Sequence, residues 1–309
     1  MKVIENYKNF NPSKKTIVTI GTFDGVHVGH QKIVEQLVAA SKTDNSVLLT
    51  FFPHPRMVLQ KDNSIKLINT IAERIEILER TGLDYLIVHP FDKDFSRLSA
   101  LDFVRDVLVG QLNMSQLVIG YDHRFGKNRE GNFEQLEEYG HMYDFLVHEI
   151  PAQDINAISV SSTKIRKALQ EGDIKKATKY LGHSFSISGT VVSGKRLGNT
   201  IGFPTANLEI EESYKLIPKK GVYLVRSEID GVWLNGMMNI GLRPTVQGKF
   251  ETIETHFFNF DGDLYGKKIQ IELLDFLREE QKFDSVEGLK NQLSIDKKKS
   301  NELLKSIDI

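Results

Sequence analysis

Short apolar runs alternate along the first half of the chain with longer segments in which apolar residues recur every three or four positions. Thr16-Ile17-Val18-Thr19-Ile20 is followed by Ile33, Val34, Leu37 and Val38 at helical spacing, and then by the run Val47 to Phe52. Short runs of this kind suit strands, and the periodic segments suit amphipathic helices. The rhythm repeats. Ile71, Ile75 and Leu78 lead to Gly82, read as a residue just past a helix end, and then to Tyr85-Leu86-Ile87-Val88. Ser99, with Asp102 three residues on, marks a helix start ahead of Phe103, Val104, Val107 and Leu108, before the strand-like Leu117-Val118-Ile119. Strands separated by helices pair in parallel, because a parallel crossover needs about a dozen residues and usually takes a helix. The pattern predicts a doubly wound, Rossmann-like α/β sheet.

A helical stretch from Lys164 to Leu181 closes this half. After Gly182 the period becomes two, starting with Phe185-Ser186-Ile187-Ser188-Gly189-Thr190-Val191-Val192, so the boundary is placed between units 1–182 and 183–309. Val222 to Ile229 and Val232 to Met238 flank Asp230-Gly231, a hairpin signal, and Asp261-Gly262 separates Thr252 to Phe260 from Ile269 to Phe276. These strands predict a small antiparallel β-barrel. The tail, with Val286, Leu289, Leu293, Leu303 and Leu304, reads as an amphipathic helix around a charged break at Asp296-Lys297-Lys298-Lys299, whose lysines form a solvated face.

Composition narrows the function classes. Hydrophobic residues make up 40% and charged residues 26% of 309 residues, a globular balance with enough material for two cores. Forty Lys and Arg against 41 Asp and Glu give a net charge of −1, so no sequence-wide positive field gathers nucleic acid or anionic lipid. No cysteine is present, which rules out disulfides, thiolate metal sites and a thiol nucleophile. The first residues lack an apolar leader, and no later stretch approaches ~18 uninterrupted apolar residues. The expectation is a cytoplasmic enzyme acting on small molecules, with its oligomeric state open.

Candidate chemistry begins where the first strand runs into Gly21-Thr22-Phe23-Asp24-Gly25-Val26-His27-Val28-Gly29-His30, with a helix expected to follow. Glycines let a ligand approach the backbone, and a helix N-terminus offers unpaired N–H groups to phosphate. His27 and His30 can donate hydrogen bonds to the phosphate oxygens of a nucleotide as charge builds in the transition state. Two other readings of such a pair stay open: part of a metal site, which would want a third ligand, or turn histidines without a role. In the second half, Gly194-Lys195-Arg196-Leu197-Gly198 precedes Gly202-Phe203-Pro204-Thr205-Ala206-Asn207, and this is not a Walker motif. The hydroxyl of Thr205 and the amide oxygen of Asn207 are neutral donors suited to Mg²⁺. Thr252-Ile253-Glu254-Thr255-His256 alternates on a strand, so Glu254 and His256 share a face; no role for His256 follows from the sequence.

Gly21 to His30 resembles the nucleotidyltransferase superfamily signature. The longer string, together with later segments, resembles the bacterial bifunctional riboflavin kinase/FMN adenylyltransferase family. Phe52-Pro53-His54-Pro55 is similar to its F-x-P-H-P segment, Gly120-Tyr121-Asp122-His123-Arg124-Phe125-Gly126 to its G-x-D-F-R-F-G loop, Ser161-Ser162-Thr163-Lys164-Ile165-Arg166 to its S-S-T-x-I-R signature, and Gly202 to Asn207 to its flavokinase signature. The resemblance runs from about Thr16 to about Asp296 with the motifs of both modules in family order.

It implies an N-terminal module that adenylylates FMN with ATP to give FAD and pyrophosphate, and a C-terminal module that phosphorylates riboflavin with ATP to FMN. By the resemblance, His27, His30, Arg166 and Glu254 are catalytic. Glu254 is the general base on the riboflavin 5′-hydroxyl, and Arg166 clamps the leaving pyrophosphate. ATP is contacted by Gly21, Thr22, Phe23, Asp24, Gly29, Ser162, Thr163, Gly194, Thr205 and Asn207, the last two also holding Mg²⁺. Flavin is contacted by Phe52, His54, Pro55, Asp122, His123, Arg124, Arg243 and Arg278. On residue chemistry alone, Ser161 or Ser162 serves equally as a helix cap, and Arg243 and Arg278 as surface ion pairs. Position 123 is His where the family pattern has Phe, which replaces a stacking ring by a smaller, titratable one. Three rivals remain: one live module only, a flavin sensor without turnover, and an adenylyltransferase for another nucleotide. The sensor predicts lost catalytic groups, yet all are in place; the other adenylyltransferase leaves the Pro204-Thr205-Ala206-Asn207 segment unexplained.

Overall fold

In a computed structural model, described for residues 1–60, 64–121, 124–151, 160–194, 197–245 and 248–307, the chain divides into two compact units, Met1–Ser162 and Thr163–Ile309. The first is built on β1 (Lys2–Glu5), β2 (Thr16–Ile20), α1 (Val28–Ala40), β3 (Asn45–Phe52), α2 (Pro55–Leu59), α3 (Ile71–Glu79), β4 (Tyr85–Pro90), α4 (Ala100–Asp102), β5 (Met114–Gly120), α5 (Phe133–Tyr143) and β6 (Leu146–Ile150). All its strand pairs are parallel, in the order β1-β4-β3-β2-β5-β6. The inner strands β2, β3, β4 and β5 are largely buried on both faces, which explains their apolar runs, whereas the edge strands β1 and β6 are more exposed. Val18, Val47, Ile87 and Leu117 pack on one side, and Ile17, Leu48, Leu86 and Val118 on the other.

From β2 the chain steps outward to β3 and β4, then returns to lay β5 and β6 on the opposite side of β2. Strand order thus reverses at β2, and in open parallel sheets ligands bind outside the carboxyl ends of the strands at such a point. The Gly21–His27 turn leaves β2 there.

Local signals behave as read at several positions. Ser99 accepts from the Asp102 amide, at 3.0 Å, as a helix cap. The helix it starts then widens into a π-helical stretch, Phe103–Gln111, which no feature of the sequence announced.

The second unit opens with α6 (Ser162–Glu171) and α7 (Ile174–Leu181), continues through β7 (Phe185–Val192), α8 (Leu197–Thr200), β8 (Ala206–Glu209), β9 (Gly221–Ile229), β10 (Val232–Thr245), β11 (Gly248–Phe257) and β12 (Lys268–Arg278), and ends with α9 (Val286–Leu304). The strands close as an antiparallel barrel, β10-β11-β8-β7-β12-β9, with β9 completing the ring against β10. Asp230 and Gly231, at φ 51° and 81°, form the tight turn between β9 and β10. Asp261-Gly262 makes no hairpin: β11 pairs with β10 and β8, and β12 with β7 and β9, so this segment is a crossover.

The helix expected over 164–181 is two helices. Gly172 takes φ +81°, a conformation open to glycine, and Asp173 then caps α7 by accepting from the Lys176 amide. Both helices cluster with the barrel, whereas the change of period falls at 182. The Lys219 amide donates to the Leu169 carbonyl at 3.0 Å, and Lys175 pairs with Asp275 at 3.0 Å.

The tail has no break, and α9 runs straight through 296–299. Asp296 is buried and takes a forked contact from Arg278, with Nε at 3.0 Å and Nη2 at 2.8 Å, plus the Gln292 amide at 2.9 Å. Lys299 caps the Leu277 carbonyl at 2.6 Å, and Lys297 lies over the Phe258 ring. The charges read as interrupting the helix fasten it to the barrel instead.

Candidate functional site

Each unit presents its own cluster. In the first, the turn leaving β2 is strained: Phe23 and Val26 hold φ of 47° and 40°, and both side chains are buried. A β-branched residue with positive φ is an outlier that persists only where the surroundings enforce it. The Asp24 carboxylate supplies that enforcement. Fully buried, it accepts from the Ile68 and Asn69 amides at 2.9 and 3.3 Å and faces the Arg74 guanidinium at 3.8 Å. Arg74, itself 1% exposed, donates to Thr50 Oγ1, whose hydroxyl donates to the Thr22 carbonyl. The Asp24 carbonyl accepts from Ser162 Oγ at 2.9 Å, so the serine hydroxyl is tied to the turn. Asp24 was expected at ATP; its carboxylate is turned to the backbone at 68–69, and the turn's shape depends on it.

The helix starts at Val28, earlier than expected, which places Gly29 and His30 in its first turn. His27 is the cap: its Nδ1 accepts from the His30 amide at 3.3 Å, so the ring proton sits on Nε2. The two rings stack at 3.6 Å between centroids. Burial, then the neighbouring His27 and the Arg74 guanidinium, push the His30 imidazole well below its ordinary range, so it is neutral near pH 7. Its Nδ1 is buried with no hydrogen-bond partner among the described residues. A neutral imidazole beside a helix N-terminus is a hydrogen-bond donor for phosphate that carries no net charge. Among the described residues, no three His, Cys, Asp or Glu side chains gather as they would around a metal ion. Thr163 is exposed, and Arg166 lies one turn into α6, half-buried.

Of the flavin candidates, Phe52 ends β3 and His54 caps α2, whose first residue is Pro55; His54 Nδ1 accepts from the Arg56 amide at 3.2 Å. Arg124 is exposed, whereas Asp122 and His123 lie outside the described residues. No sequence pattern singles out His89, opposite Phe51 at the end of β4, whose ring packs on Tyr7 and Phe95 at 4.5 and 4.4 Å. Burial pulls it down to about 4, against smaller opposing and reinforcing effects of Asp92 and Lys8. A histidine whose folded value is depressed stabilises fully above its unfolded value, and that stability is lost as pH falls from about 6.5 towards about 4. His89→Phe is therefore expected to flatten the acid-side fall of the urea midpoint in that window; an unchanged profile would assign the fall to His30 and other groups.

In the barrel, sheet register assembles the second cluster. Glu254 on β11 stands opposite Asn207 of β8 on one side and Asn239 of β10 on the other. Cross-strand partners share a face, so a carboxylate and two amides form one row. The position of Asn239 follows only from the register, which no pattern in the sequence displays. Thr205 sits just before β8. The bare α-carbon of Gly194 cradles the Asn207 side chain, for a Cβ there would fall 2.2 Å from Nδ2 and 2.6 Å from Cγ. Thr205 and Asn207 thus put two neutral oxygen-bearing groups beside one carboxylate, a donor set that fits a hard divalent ion sharing ligands with phosphate.

Gly194→Ala is expected to displace only a side-chain end. The melting temperature should then move by under ~3 °C while any activity that depends on Asn207 falls about tenfold or more. Equal losses of both, read by calorimetry and turnover, would contradict this. Arg278 is committed to Asp296, a buried pair in place of either a surface one or a free cation. Arg243 lies on β10, and its side chain is outside the described part.

The family model described as FAD synthetase matches residues 10–164, and that described as riboflavin kinase matches residues 181–304. A bifunctional riboflavin kinase/FMN adenylyltransferase of Buchnera aphidicola subsp. Schizaphis graminum is 40% identical over 299 residues, covering 95% of both chains. The Escherichia coli K12 protein of the same name is 37% identical over 303 residues, covering 96% of both. A crystal structure from Streptococcus pneumoniae, described as a macrolide-efflux protein, superposes with a TM-score of 0.89 at 32% identity, over 97% of this chain and 99% of that one. Among the described residues, no helix of the present chain is long and apolar enough to cross a membrane.

Proposed function

Because the chain belongs to the bifunctional riboflavin kinase/FMN adenylyltransferase family, we propose that its two clusters divide the two steps of FAD formation, adenylylation in residues 1–182 and riboflavin phosphorylation in residues 183–309. The segment from 163 to 182 carries the S-S-T-x-I-R motif of the first step while clustering with the barrel. The observation that carries the reading is that two separate clusters are each matched to one reaction: the histidine turn at the sheet's switch point, and a carboxylate row on the barrel.

In the barrel, Glu254 accepts the proton of the riboflavin 5′-hydroxyl as that oxygen attacks the γ-phosphorus of ATP; the bond to the β-γ bridging oxygen breaks and ADP leaves. Thr205 and Asn207 would hold Mg²⁺, which would neutralise charge on the phosphates. Asn239, on the other side of Glu254, fixes the carboxylate's orientation.

In the first unit, a phosphate oxygen of FMN attacks the α-phosphorus of a second ATP and pyrophosphate departs. The phosphate is already ionised near pH 7, so no general base is required. His27, through Nε2–H, and neutral His30 donate to the charge that builds on the α- and β-phosphates, at a helix N-terminus that adds its own N–H groups. Gly21, Thr22, Phe23, Gly29, Ser162 and Thr163 shape the ATP site, and Arg166 takes the leaving pyrophosphate. Phe52, His54, Pro55, Asp122, His123 and Arg124 receive FMN. Arg243 is a further flavin contact, whereas Arg278 is held by Asp296 and fastens α9. The protein works in the cytoplasm, where ATP and flavins are available. Chromatographic separation of flavins after incubation with riboflavin, ATP and Mg²⁺, and in parallel with FMN, tests the reading: FMN and FAD are expected from the first, FAD from the second. No product from either flavin would overturn it in favour of a sensor.

A further inference from the structure

His256, left without a role by its sequence context, connects the two halves of the kinase cluster. The ladder between β8 and β11 is two pairs long, Glu254↔Asn207 and Thr255↔Ala206. It cannot extend regularly past Thr205, because Pro204 has no N–H to offer a cross-strand partner. There the His256 side chain takes over: its Nδ1 lies 2.9 Å from the Pro204 carbonyl. A carbonyl only accepts, so Nδ1 carries the proton and Nε2 is bare. The residue is 7% exposed, its ring set edge-on to Phe203 at 5.2 Å and Phe258 at 5.9 Å. Its Nε2 is buried with no hydrogen-bond partner among the described residues, so it has no route to a substrate. Polar groups are retained in such a setting at a cost, which the single bond to Pro204 offsets.

We propose that His256 is a positioning residue for phosphoryl transfer: through Nδ1–H it holds the Pro204 carbonyl, and with it Thr205 and Asn207, in register with Glu254. The proposal rests on the kinase reading above, in which Thr205, Asn207 and Glu254 act together. Glu254 and His256 lie two apart on one strand face, so one strand carries both the base and the latch for the nucleotide-side donors. Without the latch, the Phe203-Pro204-Thr205 segment would keep the Phe203 amide's bond to the Gly198 carbonyl, at 2.8 Å, and its apolar contacts, but would lose its side-chain tie to β11.

The test compares His256→Leu, which keeps bulk and removes the donor, with His256→Asn, whose amide places an N–H where Nδ1 stands. Riboflavin phosphorylation, FMN adenylylation and the affinity for ADP with Mg²⁺ are measured on the full chain. Long-range ¹H–¹⁵N spectra of the wild type report the tautomer. Expected are an Nδ1–H tautomer, a loss of about tenfold in kcat/KM for ATP and in ADP affinity for the leucine variant, the scale of one hydrogen bond, and recovery to within about threefold for asparagine. FMN adenylylation should be unchanged in both, which also reports folding of the rest of the chain.

An Nε2–H tautomer, equal losses in both variants, or no loss in either would overturn the proposal. If the leucine variant does not fold, the tautomer and the asparagine variant decide. Should Thr205→Ala and Glu254→Gln leave phosphorylation intact, the kinase reading itself fails; should they abolish it while His256→Leu does not, only the latch fails.

Discussion

His30→Ala removes FAD formation from FMN by about 10²–10³-fold, the loss typical of one preorganised donor to a developing oxyanion, while riboflavin phosphorylation continues at its original rate. The size follows from the site. His30 is neutral, stacked on His27, and placed in the first turn of α1, where its donor adds to the helix N–H groups. Its removal takes away a contact made most strongly in the transition state, so kcat falls more than KM rises. The His27 ring loses its stacking partner as well, yet the Asp24–Arg74 pair and its hydrogen bonds still enforce the turn. Initial rates with FMN and with riboflavin, on protein of unchanged melting temperature, check this. Loss of both reactions together would mean that the units do not work separately.

Glu254→Gln is expected to act in reverse, lowering FMN formation by about 10²–10⁴-fold, the range spanned by general-base contributions, and leaving FAD formation from supplied FMN intact. Glutamine keeps the length and the hydrogen-bonding capacity of the side chain between Asn207 and Asn239 but cannot accept a proton at neutral pH. The row across β10, β11 and β8 should therefore survive, and riboflavin binding with it. A loss below about tenfold would show that the hydroxyl proton departs by another route.

The sequence disclosed both architectures because each is written in a short-range period. Parallel strands buried on two faces read as apolar runs, and Asp230-Gly231 and Ser99-x-x-Asp102 are local signals whose geometry needs no distant partner. What stayed hidden depends on pairings far apart in the chain. Asp296 reads as a charge that breaks a helix until Arg278 meets it, and the buried partnership of Arg74 with Asp24 and Thr50 has no local signal in the sequence. The Thr70-x-x-Glu73 capping box beside Arg74 could have been found, since both of its hydrogen bonds are local. The histidines of the first turn, and Thr205, Asn207 and Glu254 in the barrel, were legible as residue types. Asn239 and His256 were not, because their neighbours come from strand register and from a bond to a proline carbonyl 52 residues away.

If adenylylation and phosphorylation run at two separate clusters, variants of the two complement each other when mixed. His30→Ala alone, given riboflavin, ATP and Mg²⁺, should stop at FMN, and Glu254→Gln alone should leave riboflavin unconverted. The two together in one tube should make FAD, the first supplying FMN and the second adenylylating it. A mixture that yields no FAD, from variants that each retain their own expected activity, would contradict the claim.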